Sequence, residues 1–145
     1  KEAKVTFKSV PDKPGMAAQI FGVLSEKNIN VDMIIQNSSS NGTTDVSFTA
    51  PKEDLPLIME TTRAIARTIG AADVHIDPSI AKISIVGIGM RSHAGVAAAM
   101  FKGLAKEGIN IDMITTSEIK ISCVVHEKHM EKAVNTLHEV FGLGA

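Results

Sequence analysis

The heptapeptide NINVDMI, residues 28–34, returns eighty residues later as GINIDMI, residues 108–114. The match extends upstream without a gap, because PGMAAQIFGVLSEK (14–27) aligns with AGVAAAMFKGLAKE (94–107) at the same offset. Further upstream, AKVTFKSV from Ala3 resembles AKISIVGI from Ala81 at an offset of seventy-eight. Two copies of one supersecondary unit explain this self-similarity. The second copy carries two extra residues between its first strand and its first helix.

The periodicity of the first copy predicts the element order β-α-β-β-α-β. Val5 and Phe7 alternate with polar residues, as in a half-buried strand. Ile20 and Leu24 lie on the apolar stripe of a helix that starts near Gly15. The remaining predicted elements are a second strand in NINVDMIIQ, a turn in NSSSNGTTD, a third strand through Val46 and Phe48 that ends at Ala50-Pro51, a helix from Leu55 to Ile69 stopped by Gly70, and a fourth strand through Val74 and Ile76.

This element order is the split βαβ arrangement of ferredoxin-like folds. We therefore expect an α+β protein with two ferredoxin-like βαββαβ domains in tandem, at residues 1–79 and 80–145, with antiparallel sheets and helices on one face. The second copy repeats the order up to a helix through residues 130–141 and then reaches Ala145 without a fourth strand. That strand is either trimmed from the sequence or supplied from elsewhere.

Composition disfavours several classes of function. No apolar run in the 145 residues approaches the ~20 that a membrane-spanning helix needs. A net charge of −1 with interspersed signs disfavours nucleic-acid binding, and five Phe without Trp or Tyr offer no base-stacking platform. With one cysteine and no visible signal peptide, we expect a reduced, cytoplasmic protein that contacts neither nucleic acid nor membrane.

The sequence shows no catalytic, cofactor or metal-binding constellation. Gly87 and Gly89 in VGIGMRS lack the third glycine of a dinucleotide-binding loop. HEKH at 126–129 has no further plausible ligand, and Cys123 has no neighbouring His or Lys to lower its pKa. We therefore expect no cofactor, no metal and no catalytic residue in this chain.

The junctions between each first strand and first helix, SVPDKPGMAA and GMRSHAGVAA, suggest a binding site instead. Gly15 and Gly95 are predicted to open the helices without a side chain, which leaves the first-turn N–H groups and the helix dipole free to bind a carboxylate. Asp12 can accept a hydrogen bond from an ammonium group. The alternative is that Asp12 and Pro14 only cap and start a helix.

The predicted second strands add polar side chains to these junctions. If the apolar residues of each strand face inward, the polar residues between them lie on the opposite face. Because the pattern occurs twice, beside helices that open with glycine, it suggests two matched polar pockets for a small zwitterion. The residues predicted to face inward are Ile29, Val31, Met33 and Ile35; the polar ones are Asn30, Asp32 and Gln36 in the first copy and Asn110 and Asp112 in the second.

The second copy also carries apolar residues on both faces of its predicted sheet. A face too apolar for water needs a cover, most simply a second copy of the chain; a loosely covered face is the alternative. The residues expected to face the helices are Ile83, Ile85, Ile109, Ile111, Ile119 and Ile121, and those expected on the other face are Val86, Ile88, Ile114 and Val124.

The motifs QN…GTTD, GM-SH-GV and TSEI-IS, together with the two repeated stretches, resemble the paired ACT domains that regulate bacterial aspartate kinase. The similarity covers essentially the whole chain. It implies that lysine, threonine or both bind between ACT domains and inhibit the kinase. It also implies that the first ACT domain of one chain pairs with the second of its partner in a homodimer. The kinase catalytic segment, a separate domain or subunit, is the other implied partner.

The resemblance also implies which residues bind the effector. His93 occupies the loop position of Asp12 but offers no carboxylate, so the two pockets are expected to differ in ligand or affinity, or one is empty. On one side the implied residues are Asp12, Gly15, Met16, Ala17, Asn30, Val31, Asp32 and Gln36; on the partner side they are His93, Gly95, Val96, Ala97, Asn110, Ile111, Ser117 and Glu118.

Three hypotheses follow for the function. The repeat, the glycine-opened helices and the motifs favour an allosteric amino-acid sensor that exerts feedback inhibition. A plain dimerisation module that needs no ligand is the alternative. A small enzyme on a ferredoxin-like scaffold is disfavoured because the sequence contains no catalytic set.

Overall fold

The computed structural model of the chain describes residues 1–37, 41–86, 93–117 and 119–142, without the side chain of residue 93. The chain divides into two compact units, Glu2–Pro78 and Ser79–Ala145, with Lys1 assigned to the second. The elements are β1 (Glu2–Pro11), α1 (Met16–Glu26), β2 (Ile34–Gln36), β3 (Thr43–Pro51), α2 (Leu55–Ile69), β4 (Asp73–Val86), α3 (His93–Lys106), β5 (Met113–Thr116), β6 (Lys120–His126) and α4 (Met130–Phe141).

The strand order confirms the predicted fold class. In the first unit the order is β2-β3-β1-β4, and in the second unit it is β4-β6-β5. The strand β4 contributes residues 73–78 to the first unit and residues 79–86 to the second. The β1/β3, β2/β3, β4/β6 and β5/β6 pairs are all antiparallel. This is the ferredoxin-like arrangement, in which the second strand of each copy lies at an edge.

Each unit has its own apolar core between helices and sheet. In the first unit, Phe48 stacks on Phe7 with ring centroids 6.3 Å apart, and Phe21 of α1 meets it edge-on at 5.9 Å. Buried residues of both helices, such as Ile20, Leu24, Ile58 and Ile65, complete this cluster. The second unit buries Met100, Leu104, Ile121, Cys123 and Leu137 in the equivalent layer. The helical stripes predicted from periodicity are therefore the buried faces.

The turn after the first helix is the most closely repeated local structure in the two units. Asn28 and Gly108 both have a left-handed backbone, with φ of 58° and 72°. The next residue, Ile29 or Ile109, then donates its N–H to the carbonyl of Leu24 or Leu104 at 3.0 Å. Gly and Asn are the residues that adopt this conformation most readily. The replacement of Asn28 in the first copy by Gly108 in the second therefore preserves the left-handed turn.

We predict that Gly108→Ala lowers the free energy of unfolding by about 1–2 kcal/mol, because an alanine at positive φ is strained. Gly108→Asn, which copies the residue of the first unit, loses clearly less. Urea unfolding of the three proteins measures the difference. Equal losses for the two variants would contradict the proposed role of this turn.

The second strand of the first copy is shorter than predicted, and its register differs. Regular pairing covers only Ile34–Gln36, because the Met33 N–H bonds to the Thr49 hydroxyl at 3.1 Å before the strand begins. Ile34 pairs with Phe48 and Gln36 with Val46, so both share the face of core residues. The predicted outward direction of Gln36 and inward direction of Ile35, which pairs with Ser47, were therefore wrong.

The second unit corrects two further predictions. Ile114 pairs with Cys123, a core residue, so it lies on the helix-facing side rather than on the opposite face. Ile119 is 59% exposed and does not join the core. Val86 is exposed and Val124 is buried, both on the face away from the helices, whereas Ile88 lies outside the described residues.

Candidate functional site

The segment before α1 in the first unit is a turn that leads into the helix, in which the Lys13 N–H donates to the Pro11 carbonyl and the Met16 N–H donates to the Lys13 carbonyl. Gly15, with φ of 92°, is the residue that precedes the helix. A side chain there would meet no atom within 4 Å, so the position requires glycine for its backbone conformation and not for space. The Asp12 N–H donates to the Gly42 carbonyl at 2.9 Å, which ties the loop to the turn before β3. Asp12 and Ala17 are exposed.

A β-bulge directly precedes this loop. Register with β3 shifts between Phe7 and Val10, so that Lys8 and Ser9 together face Asp45. The Asp45 carboxylate accepts hydrogen bonds from Lys8 Nζ at 2.8 Å and from the Ser9 N–H at 3.0 Å. Ser9 has φ of 55°, which is a strained conformation for a residue other than glycine. We call this arrangement the bulge clasp.

The bulge clasp perturbs the acidity of its own carboxyl group. The pKa of Asp45 lies below its ordinary value of 3.8, first because of the hydrogen bond from Lys8 and next because of the one from the Ser9 N–H. Partial burial opposes this shift. The charged form of Asp45 is therefore the one that the folded protein stabilises.

We predict a pH-dependent effect of Asp45→Asn on stability. A carboxyl whose pKa is lower in the folded state contributes stability above its unfolded pKa, and loses that contribution as pH falls through the folded pKa. The variant should be less stable than the wild type at neutral pH, and the gap should narrow as pH falls below the ordinary carboxyl range of about 4. Urea unfolding at several pH values measures the gap; Glu53→Gln is the control. A gap that does not change with pH would contradict the prediction.

The opposite end of α1 carries the other predicted residues of the first unit. Asn30 and Asp32 are exposed, and Val31 packs against the core. A cavity of about 340 Å³ lies here, lined among others by Phe21, Asn28, Asn30 and Ile34. The Asp32 N–H donates to the Thr49 carbonyl at 2.9 Å, so this segment is fixed to β3 although it is not regular strand.

The structure thus separates the predicted residues of the first unit into two groups. Gln36 lies near the loop, because its neighbour Asn37 bonds to the Asp45 carbonyl. We call this region, with Asp12, Gly15 and Ala17, the loop end, and we call residues 27–32 the turn end. Between them stand the eleven residues of α1, about 16 Å at 1.5 Å per residue. One amino acid, with a backbone span of about 3.5 Å, cannot bridge them.

The second unit repeats this separation with a different helix start. α3 begins at His93, so Gly95 lies within its first turn and does not open the helix as predicted. Asn110 is exposed beyond the far end of α3, and Ile111 packs on the core. Ser117 donates its N–H to the Lys120 carbonyl at 2.7 Å. The side chain of His93 and the whole of Glu118 lie outside the described residues.

The side chains of some predicted residues are buried and cannot contact a ligand. Met16 and Val96 are 9% and 5% exposed and belong to the two cores. Their side chains therefore anchor the starts of α1 and α3. Because the Met16 N–H donates to the Lys13 carbonyl, the peptide N–H groups left for a ligand at the start of α1 are those of the residues that follow Met16 in the first turn.

In the part of the chain that the structure describes, we looked for a reactive thiol, a metal site and a membrane-spanning helix. Burial raises the pKa of the Cys123 thiol to about 12, so it remains protonated and unreactive at neutral pH. Within the described ranges, no three His, Cys, Asp or Glu side chains are grouped as metal ligands. No helix in those ranges is long and apolar enough to cross a bilayer.

Comparison with known sequences identifies both units. Sequence models of the ACT domain match residues 4–67 and 83–141. The aspartate kinase of Pseudomonas putida is 54% identical over 144 residues, which are 99% of this chain and 35% of that protein. An aspartokinase of Helicobacter pylori is 50% identical, with 98% and 35% covered. The chain therefore spans about a third of the curated relatives it matches.

Solved structures show which third it is. A chain in the crystal structure of aspartokinase alpha and beta subunits is 51% identical, with a TM-score of 0.89 and coverage of 97% of this chain and 93% of that one. The chain belongs to the aspartokinase family. The regulatory subunit of aspartate kinase from Thermus thermophilus matches at 37% identity and a TM-score of 0.88, with 97% and 92% covered. This aspartokinase segment is accordingly the regulatory portion, two ACT domains in tandem, and the kinase catalytic domain is outside it.

Sequence reasoning missed the bulge clasp. Asp45 stood within the motif GTTD, but its partner Ser9 carries no sequence signal for positive φ. Only the pairing of β1 with β3 brings the two together across thirty-six residues of chain.

Proposed function

We propose that this regulatory segment senses threonine, lysine or both, and thereby exerts feedback inhibition on aspartate kinase. The observation that carries the proposal is the separation of the loop end from the turn end by the length of α1. Because one domain presents two incomplete halves, a complete amino-acid site requires the loop end of one ACT domain beside the turn end of another. An effector that binds such a site favours the arrangement of domains in which the site is complete, and a regulator can use this shift in population.

The loop end suits the charged groups of a free amino acid. First-turn N–H groups at the start of α1, beside Gly15, can bind the α-carboxylate in the positive field of the helix dipole. The exposed carboxylate of Asp12 is available for the ammonium group, and Gln36 supplies an amide at the same end of the sheet. These groups bind the α-carboxylate and the ammonium group, which all amino acids share. The partner domain must therefore contribute to the selectivity for the side chain of the effector.

The strand edges offer a way to bring in the second half. β2 is at the end of the strand order in its unit, and β5 is at the end of its own. Each carries an exposed isoleucine at the same repeat position, Ile34 at 53% and Ile114 at 44%. Antiparallel pairing of β2 with β5 of a second chain covers both residues. It also places Asn110 and Ile111 of the second chain at the loop end of the first.

We predict that isothermal titration with threonine and with lysine, separately and together, detects binding of at least one of them. Asp12→Asn should weaken that binding by about tenfold or more, because the amide still accepts a hydrogen bond but no longer pairs a negative charge with the ammonium group. Glu53→Gln removes a charge near the start of the other helix and should bind normally. No binding of either amino acid to the folded wild-type protein at millimolar concentration would overturn the proposed function.

We also predict that Ile34→Lys converts the homodimer to monomer and abolishes effector binding, since it places a charge in the paired edge. Leu57→Lys is the matched control, because Leu57 is also an exposed apolar residue, 38% accessible, but lies on α2. Analytical ultracentrifugation measures the state of each variant. Dimers of equal stability in both variants would rule out this edge.

A ligand-independent dimerisation module remains the second candidate, favoured by the exposed isoleucines at the two edges. This candidate shares the edge pairing but not the response to ligand. It implies that neither threonine nor lysine raises the melting temperature, while the dimer persists.

A further inference from the structure

We infer that Asp45 is a positioning residue for the loop end: its carboxylate holds the strained Ser9 bulge and thereby sets the path of residues 10–15. The inference rests on the proposed function, because it assigns a role in effector binding to a side chain that does not touch the effector. The bulge lies three residues before Asp12, on the same strand that leads into the loop.

The bulge sets which face each following residue takes. Side chains alternate along a strand, so a register without the extra residue moves every later side chain to the other face. Val10, fully buried in the core, would then leave it. Asp12 would move by about one residue spacing, 3.3 Å. An effector held by hydrogen bonds to this loop is sensitive to such a shift, since these bonds weaken steeply with distance and angle.

Of the two hydrogen bonds to Asp45, the one from Ser9 matters more for the loop. The N–H of Ser9 has lost its regular partner in β3 because of the register shift, and Asp45 Oδ1 replaces that partner. The Lys8 pair is half-exposed, with 45% of the Lys8 side chain accessible. Ion pairs at such exposure contribute little. The backbone bond to a residue with positive φ is therefore the contact that keeps the bulge in place.

The second unit has a lysine, Lys120, at the position of Asp45, so it has no carboxylate there to form the bulge clasp. There β4 and β6 stay in regular register from Ile80 to Val86. Val86 pairs directly with Lys120, and by the repeat these two stand where Lys8 and Asp45 stand in the first unit. The copy without the clasp is also the copy with His93 in place of Asp12. The clasp and the carboxylate for the ammonium group thus occur together, in one copy of two.

Four variants of the whole 145-residue chain test this role. Asp45→Ala removes the clasp, and Lys8→Ala removes only the ion pair. Asp45→Ala combined with Ser9→Gly removes the clasp but relieves the strain, because glycine adopts positive φ at no cost. Thr62→Ala, at a fully buried position on α2 outside the bulge clasp, lowers stability without removing either hydrogen bond to Asp45. The readouts are effector affinity by titration and amide hydrogen exchange at Asp12, whose N–H is bonded to Gly42.

Asp45→Ala should weaken effector binding by about fivefold or more and speed exchange at Asp12, at temperatures where the protein stays folded. Lys8→Ala and Thr62→Ala should leave both readouts within about twofold, well below the coupling expected of a positioning residue. The double variant should recover both. Unchanged exchange at Asp12 in Asp45→Ala, or an equal change in Thr62→Ala, overturns the inference.

The two readouts separate this inference from the proposed function. If the wild-type protein binds neither threonine nor lysine, the proposed function fails, and the positioning of an effector fails with it. Exchange at Asp12 in that case still decides whether Asp45 holds the loop. If the wild type binds an effector and Asp45→Ala binds it equally well, the proposed function stands and the positioning role is wrong.

Discussion

The length of the first helix governs what a single ACT domain of this chain can bind. α1 holds Gly15 and Asn30 at opposite ends of the sheet, and its apolar stripe is locked into the core through Ile20 and Leu24. A packed helix cannot shorten, so the loop end and the turn end never meet within one domain. A small ligand that uses both kinds of end must therefore bind two domains at once.

The ferredoxin-like topology then determines which surface is left for pairing. In each repeat of the chain, the first strand lies in the interior of the sheet and the second strand lies at its edge. These rim strands are only three and four residues long, β2 and β5. Short edges resist indiscriminate aggregation, yet Ile34 and Ile114 leave apolar area uncovered. Such an edge is suited to one complementary partner rather than to many.

Elements specified by strong local patterns were predictable from the sequence. The helices α2 and α4 follow from their apolar periodicity, and the stop at Gly70 matches its left-handed conformation. The late start of regular strand within NINVDMIIQ, at Ile34, was not predictable. The alternation of apolar and polar residues continues through Met33, but the Met33 N–H donates to the side chain of Thr49, a residue sixteen positions away. Alternation marks burial, and both faces of this segment carry buried residues.

The residues of the candidate site likewise fall into those that were predictable from the sequence and those that were not. Asp12 and Gly15 were recognisable because glycine and a carboxylate before a helix have a direct chemical meaning. Asp45 was not, because its importance comes from a bulge that only the pairing of β1 with β3 creates. Likewise, the helix start at His93 shows that an exact match of Gly15 with Gly95 in sequence does not guarantee the same backbone role. Local signals predict a group's chemistry, whereas register determines its position.

The two copies agree where the fold requires it and differ where a ligand is expected. Both keep the left-handed turn at Asn28 and Gly108, and both keep a hydroxyl pair across their central strands, Thr6 with Ser47 and Ser84 with Ser122. The first copy has the carboxylates of Asp45 and Asp12, whereas the second has Lys120 and His93 at these positions. A ligand that bridges two domains needs to favour one arrangement by only about 1–3 kcal/mol to change activity several-fold. Under the proposed function, the loop end of the first copy can supply this difference by itself, with the second copy as the partner surface.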